Sequence, residues 1–379
     1  MGNRSRSTPT SRRDFLTTTG TLLGAAVAVP ALPMTVASAS TGTAEPNALP
    51  LQSSSASLRK IPIGVFDPVF PDLSLDQMLD KVFGYGLEAM EIGTGGYPGN
   101  NHCPVDELLA DAGKLKAWKR KFDDHNLMIG ALSCHGNPVH PDAKIAARDA
   151  ETFRKTVVLA ERLGVQVIVG FSGCPGGSPT DTMPNWATYR WPPEYAQILN
   201  WQWKEKVVPY WKDAAKFARS HGIKKLAFEM HPGFVVYNPR TLLRLRDAVG
   251  EEIGANCDLS HLFWQGCDPV EVIRLLGKQG AIFHAHMKDT VMYPENVAKY
   301  GVLNFAFEKK DLPEASETFR AVGYGHSATI WKEIVRAYME VGYQGMLSIE
   351  NEDPILPGDV GVERAAYVLR NVRAELLAS

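Results

Sequence analysis

The chain has 379 residues, 45% of them hydrophobic, with 40 lysines and arginines against 42 aspartates and glutamates and a formal net charge of -2 at pH 7. That length accommodates one α/β barrel of about 250 residues or more, and the near balance of charge lends no support to a polyanionic partner such as nucleic acid. The five cysteines, Cys103, Cys134, Cys174, Cys257 and Cys267, are odd in number and contain no CxxC pair, which speaks against a zinc ribbon or a dense disulfide frame.

In chain order, residues 1–39 read as an export signal. Ser11-Arg12-Arg13-Asp14-Phe15-Leu16 carries the paired arginines of a twin-arginine (Tat) signal peptide, an apolar stretch follows from Thr21 to Met34, and Ala37-Ser38-Ala39 offers small residues for cleavage. Pro30 and Pro33 interrupt the apolar run, which is short of the roughly 20 residues needed to cross a bilayer, so no stable membrane anchor is expected. The expected location is periplasmic or secreted. Residues 40–58, rich in Ser, Ala, Thr and Pro, suit a flexible leader, and residues 59–379 are expected to form one domain.

That domain alternates strand and helix. Apolar or β-branched runs at 61–66, 87–92, 127–133, 165–171, 225–229, 253–258, 281–286 and 345–350 predict eight strands, with stretches of helical spacing between them, such as Leu75, Met78, Leu79, Val82 and Phe83, or Ile330, Ile334, Val335 and Tyr338. Asn238-Pro239 and Asp268-Pro269 predict helix starts, and Gly84, Gly86, Gly164, Gly222, Gly277 and Gly342 fall where helices should stop. Near-continuous apolar strands suit a parallel sheet covered on both faces, and eight of them in alternation predict a single-domain (β/α)8 TIM barrel. An open doubly wound sheet is the competing architecture, but the turn after the first strand reads Phe66-Asp67-Pro68-Val69 and lacks the dinucleotide-binding glycines. Long connections at 93–104, 172–193 and 289–325 carry aromatics, including Trp186, Tyr189, Trp191 and Phe307; such loops on the active face are expected to take part in binding.

Each of the last four strands ends in groups that bind metals: Phe228-Glu229-Met230-His231, Cys257-Asp258-Leu259-Ser260-His261, His284-Ala285-His286-Met287-Lys288-Asp289 and Ser348-Ile349-Glu350-Asn351. Carboxylates in such number are costly to bury without a cation, and a mixed oxygen and nitrogen set suits one divalent ion such as Mn, Co, Mg or Zn. These four motifs resemble the xylose-isomerase-like barrel superfamily of sugar phosphate isomerases and epimerases, which includes tagatose and psicose 3-epimerases and inosose dehydratase. The resemblance implies that Glu229, Asp258, His286 and Glu350 hold the metal, that His261 contacts substrate, and that Glu229 and Glu350 serve as acid and base. The choice of His286 over His284 rests on the His-x-Lys-Asp ending of that family, since both lie on one face of a strand.

The implied reaction is removal of a proton next to the carbonyl of an unphosphorylated sugar or keto-sugar, with the cation stabilising an enediolate. Reprotonation gives an epimer or isomer. Loss of a β-oxygen, as from a 3-keto-glycoside, makes the protein a dehydratase or lyase, and His135, Asn137, His231, His261 or Lys288 could help the oxygen leave. Glu91, His135, Asn137, His231, Lys288, Trp186 and Trp191 are expected to contact substrate. A non-catalytic sugar-binding protein, a glycoside hydrolase with a carboxylate pair and a metal-dependent endonuclease are the rival classes. The expected partner is a small-molecule sugar or glycoside, and the sequence leaves open whether the chain forms a homo-oligomer.

Overall fold

The computed structural model describes residues 58–379, so the expected signal at 1–39 and nearly all of the expected leader at 40–58 lie outside the described residues. The strands are β1 (Ile63–Phe66), β2 (Ala89–Gly93), β3 (Met128–Ser133), β4 (Val167–Gly170), β5 (Lys225–Glu229), β6 (Ile253–Asn256), β7 (Ile282–Met287), β8 (Asp289–Met292), β9 (Glu317–Arg320) and β10 (Leu347–Ile349). Strands β1 to β7 and β10 close into a parallel barrel, with β10 joining β7 to β1, while β8 and β9 form a separate antiparallel pair. All eight barrel strands fall within two residues of the ranges expected from their apolar runs.

The helices are α1 (Leu75–Gly84), α2 (Val105–Ala110), α3 (Ala112–Asp124), α4 (Ala143–Leu163), α5 (Pro193–Trp201), α6 (Val208–Ser220), α7 (Pro239–Val249), α8 (Ser260–Phe263), α9 (Pro269–Gly277), α10 (Pro294–Tyr300), α11 (Ala328–Glu340) and α12 (Gly358–Ala378). Two start where the sequence places them: Asn238 accepts a hydrogen bond from the Thr241 amide at the head of α7, and Asp268 accepts one from the Glu271 amide at the head of α9. Each supplies an acceptor for an otherwise unpaired N–H in the first turn. Gly164 ends α4 in the left-handed conformation at φ 74°, which costs glycine nothing.

The barrel interior is filled by matching large residues to missing side chains. A Cβ on Gly254 would strike the Phe283 ring, and one on Gly64 or Gly130 would strike Met346. Small against large, on neighbouring strands or across the barrel, packs the centre and leaves no pore. All five cysteines are free, and among the described residues no helix is long and apolar enough to cross a membrane.

The sequence gives no sign of the β8–β9 hairpin, which lies within the expected loop 289–325. Asp289 at the start of β8 accepts from the amides of Gly323, Gly325 and His326 and from Trp331 Nε1, which fixes the chain after β9 to the end of β7. At the same end of the ladder, where Arg320 pairs with Asp289, Asp353 accepts from Arg320 Nε at 2.8 Å and the Ala321 amide at 3.0 Å.

Candidate metal centre

Four chain segments bring their carboxylates and one imidazole to the carboxyl-terminal mouth of the barrel. Glu229 is the last residue of β5, Asp258 lies two residues beyond β6, His286 is in β7 and Glu350 follows β10. One ligand atom from each lies within 4.8 Å of all the others. From His286 Nδ1 the distances are 3.0 Å to Glu350 Oε2, 3.4 Å to Glu229 Oε2 and 4.0 Å to Asp258 Oδ2.

The surroundings aim these atoms. Asp258 Oδ1 accepts from the Ser260 amide at 2.9 Å, so Oδ2 is left facing the cluster, buried and without a hydrogen-bond partner. His286 turns Nε2 to Glu91, at 3.0 and 3.1 Å from its two oxygens, so a proton there leaves the lone pair on Nδ1, which is likewise buried and unpartnered. Glu229 is held by His261 Nε2 at 3.1 Å and by His135 Nε2 and Asn256 Nδ2 at 3.2 Å each. Lys288 Nζ lies 2.6 Å from Glu350, 2.9 Å from Glu352 and 3.0 Å from Asp258.

Three carboxylates against one ammonium leave two negative charges in a site whose members are almost wholly buried, and a dication would neutralise that excess. The two orphaned atoms, Asp258 Oδ2 and His286 Nδ1, are a hard oxygen and an imidazole nitrogen, the donors that such an ion takes once it displaces any proton on the ring. The residues therefore fit a divalent cation. Burial alone would raise the Glu229 pKa, but the imidazoles of His135, His261 and His286 beside it hold it well below the carboxylate range. Burial disfavours charge on Lys288, yet Asp258, Glu350 and Glu352 keep it protonated. Burial outweighs the neighbouring cations at Glu350 and raises its pKa.

A second group, Glu91, His284 and His286, also has ligand spacing. Its carboxylate is already saturated: Ser133 donates to Oε1, while His284 Nε2 at 2.8 Å and Ser348 Oγ at 2.6 Å donate to Oε2. Glu91 therefore fixes the ring of His286 from behind. It is 0% exposed and does not line the pocket, which corrects the expectation that it faces substrate. Carboxylate–histidine–metal chains of this kind set ligand orientation and basicity. Glu91→Gln should weaken Mn²⁺ binding by about 10- to 100-fold, read by calorimetric titration of the metal-free protein, with circular dichroism unchanged.

The pocket over the cluster has a volume of about 260 Å³ and is lined by Phe66, Tyr97, His135 and Phe171, with Glu229, Glu350 and Glu352 among its polar groups. Three other expected contacts lie elsewhere. Asn137 is tied to the backbone of Cys174 through both ends of its amide, at 2.8 and 3.0 Å, because that loop needs a partner for its own buried N–H and C=O. Trp186 donates to the Phe234 carbonyl and packs edge-on against Tyr237. Trp191 is 70% exposed. Neither tryptophan lines the pocket, since Trp186 is turned onto the segment after β5 and Trp191 toward solvent. Sequence reasoning missed Phe66 and Phe171, although both sit where barrel strands end and that position alone could have marked them. His231 packs 4.1 Å from the His261 ring, and burial, with His261 beside it, lowers its pKa to about 4, so it is a neutral ring at neutral pH. Lys288 and His261 touch the cluster itself.

A family model described as xylose isomerase-like TIM barrel matches residues 79–372. The chain belongs to the xylose isomerase-like TIM barrel family. One similar protein, the uncharacterised YfiH of Bacillus subtilis strain 168, is 36% identical over 304 residues, which is 79% of this chain and 95% of YfiH. Among solved structures, the probable 3-DHS dehydratase AsbF of Bacillus anthracis, involved in petrobactin synthesis, superposes with a TM-score of 0.56 at 16% identity, covering 82% of this chain and 99% of that one. A D-tagatose 3-epimerase-like protein superposes with a TM-score of 0.55 at 19% identity, covering 83% and 99%. At these identities the two structures share the barrel; the chemistry of this family member has to be argued from its own site.

Proposed function

We propose that this protein is a divalent-metal-dependent enzyme of the sugar isomerase or epimerase type, which removes a proton next to a carbonyl of an unphosphorylated sugar or keto-sugar. The observation that carries this reading is the pair of buried, unpartnered donors, Asp258 Oδ2 and His286 Nδ1, aimed at the space between Glu229 and Glu350. In it, Glu229, Asp258, His286 and Glu350 hold the ion. A bound dication supplies positive charge to a carbonyl and its neighbouring hydroxyl, where negative charge develops as the carbon between them loses its proton.

The protein's own groups divide the remaining work. Of the four cluster residues only Glu229 and Glu350 line the pocket, so theirs are the carboxylates a bound sugar can touch, and they are the acid and base. His261 and His135 hold Glu229 in place. Phe66, Tyr97 and Phe171 offer flat apolar faces to a sugar ring. The 3-epimerase-like and dehydratase neighbours support the two fates considered for the deprotonated sugar, return of the proton or loss of an oxygen. The twin-arginine pattern at 11–16 supports export to the periplasm or medium, where an unphosphorylated substrate is the expected kind.

The test is proton exchange. Metal-loaded protein incubated with ketohexoses and 3-keto-glucosides in deuterated water should place deuterium on the carbon next to the carbonyl, detected by mass spectrometry, and a chelator should stop it. Exchange at the uncatalysed rate with every substrate, or exchange indifferent to the chelator, contradicts the proposal.

A further inference from the structure

The β8–β9 hairpin carries a buried acid that the proposed chemistry does not use. Glu317, the first residue of β9, is 7% exposed, and its Oε2 is buried with no hydrogen-bond partner. Residues two apart share a face of a strand, and Phe319, the next residue on that face, packs edge-on against His261 at 5.2 Å with Lys288 Nζ 4.7 Å over its ring. The hairpin face bearing Glu317 thus roofs two residues that touch the candidate metal centre. Burial pushes the Glu317 carboxyl up to about 7, against the pull of His261 and Lys288.

Beside this face lies a second cavity of about 280 Å³, lined by Phe307, Lys309, Glu317, Phe319 and Glu352. Glu352 lines both this cavity and the pocket over the cluster. Phe307 is 93% exposed, an apolar ring presented at the rim.

We infer that Glu317 donates a proton to a leaving oxygen, and that the second cavity holds the group that departs. The substrate is then a carbonyl sugar with a ring-sized, oxygen-linked substituent on the carbon adjoining the one that loses its proton. This rests on the proton removal proposed above. One pocket carboxylate takes the proton, and the C–H electron pair becomes a C=C bond to the adjoining carbon. The bond from that carbon to the substituent oxygen breaks with its electron pair, and the oxygen takes the Glu317 proton and leaves as an alcohol. Glu317 is left as a carboxylate and regains a proton from water; nothing is oxidised or reduced overall.

The experiment compares methyl and 4-nitrophenyl 3-keto-β-glucosides with metal-loaded full-length protein, wild type and Glu317→Gln. Methanol leaves poorly without a proton, whereas 4-nitrophenolate leaves without one. Glu317→Gln should slow methanol release by about 100- to 10,000-fold, the range of a lost general acid, and slow 4-nitrophenolate release by less than about 10-fold on the same principle, while still exchanging the substrate's α-proton with deuterated water. Equal losses with both substrates, as misfolding would give, or no loss with either, overturn the inference. Wild-type protein that exchanges the α-proton but releases neither group overturns it alone; wild-type protein that exchanges nothing overturns it together with the proposed function.

Discussion

Asp258→Asn should fold as the parent does, bind Mn²⁺ at least about 100-fold more weakly and lose at least about 1,000-fold in α-proton exchange at limiting metal. The substitution keeps the volume and the Oδ1 acceptor for the Ser260 amide. What it removes is the charge on Oδ2, the oxygen that is fully buried without a hydrogen-bond partner and sits 3.0 Å from Lys288. With two carboxylates left against the ammonium, a single negative charge remains to attract a dication, and the amide offers a weaker donor. Calorimetric titration and exchange in deuterated water read the two effects separately, and unchanged affinity would remove Asp258 from the ligand set.

The second large effect is on stability. Asp289→Ala strips a side chain that is 0% exposed and that accepts from the amides of Gly323 at 2.9 Å, Gly325 at 3.0 Å and His326 at 2.9 Å, and from Trp331 Nε1 at 3.0 Å. Its other oxygen accepts from His326 Nδ1 at 2.7 Å and the Thr290 amide at 2.9 Å. Each buried donor left unsatisfied costs about 1–3 kcal/mol, and water can reach some of these sites, so the expected loss is about 3–5 kcal/mol, measured from urea unfolding midpoints. Burial raises the Asp289 pKa, but the hydrogen bonds from His326 and Trp331 outweigh it and lower the value. The contribution is therefore fully present above the unfolded-state pKa of about 4 and is lost as pH falls through the lower folded value. A stability change below about 1 kcal/mol would show that the loop after β9 is held by other contacts.

The barrel was legible because its evidence is local: each strand is a short apolar run, and some helices carry their own start signal, as at Asn238 and Asp268. The convergence of Glu229, Asp258, His286 and Glu350 was legible for a related reason, since a closed parallel barrel brings every strand end to one mouth. The part played by Glu91 was not, because it depends on both histidines of β7 turning Nε2 toward β2, and only the assembled interior decides that. The hairpin escaped because its strands are four residues each, separated by 24 residues, too short for alternation to register. Its stability comes from Asp289 and Asp353, whose partners are distant in sequence. Glu317 accordingly stands in Ser316-Glu317-Thr318-Phe319 with nothing local to distinguish it from a surface glutamate. Trp186 and Trp191 were misplaced for the converse reason: aromatic composition marks a loop but does not say which way it folds.

The most direct test is anomalous diffraction from a crystal of the protein soaked in Mn²⁺. One anomalous peak bounded by Glu229, Asp258, His286 Nδ1 and Glu350, with ligand distances of about 2.0–2.3 Å, is the expected result. A peak among Glu91, His284 and His286 Nε2, or no peak at the barrel mouth under saturating metal, contradicts the account.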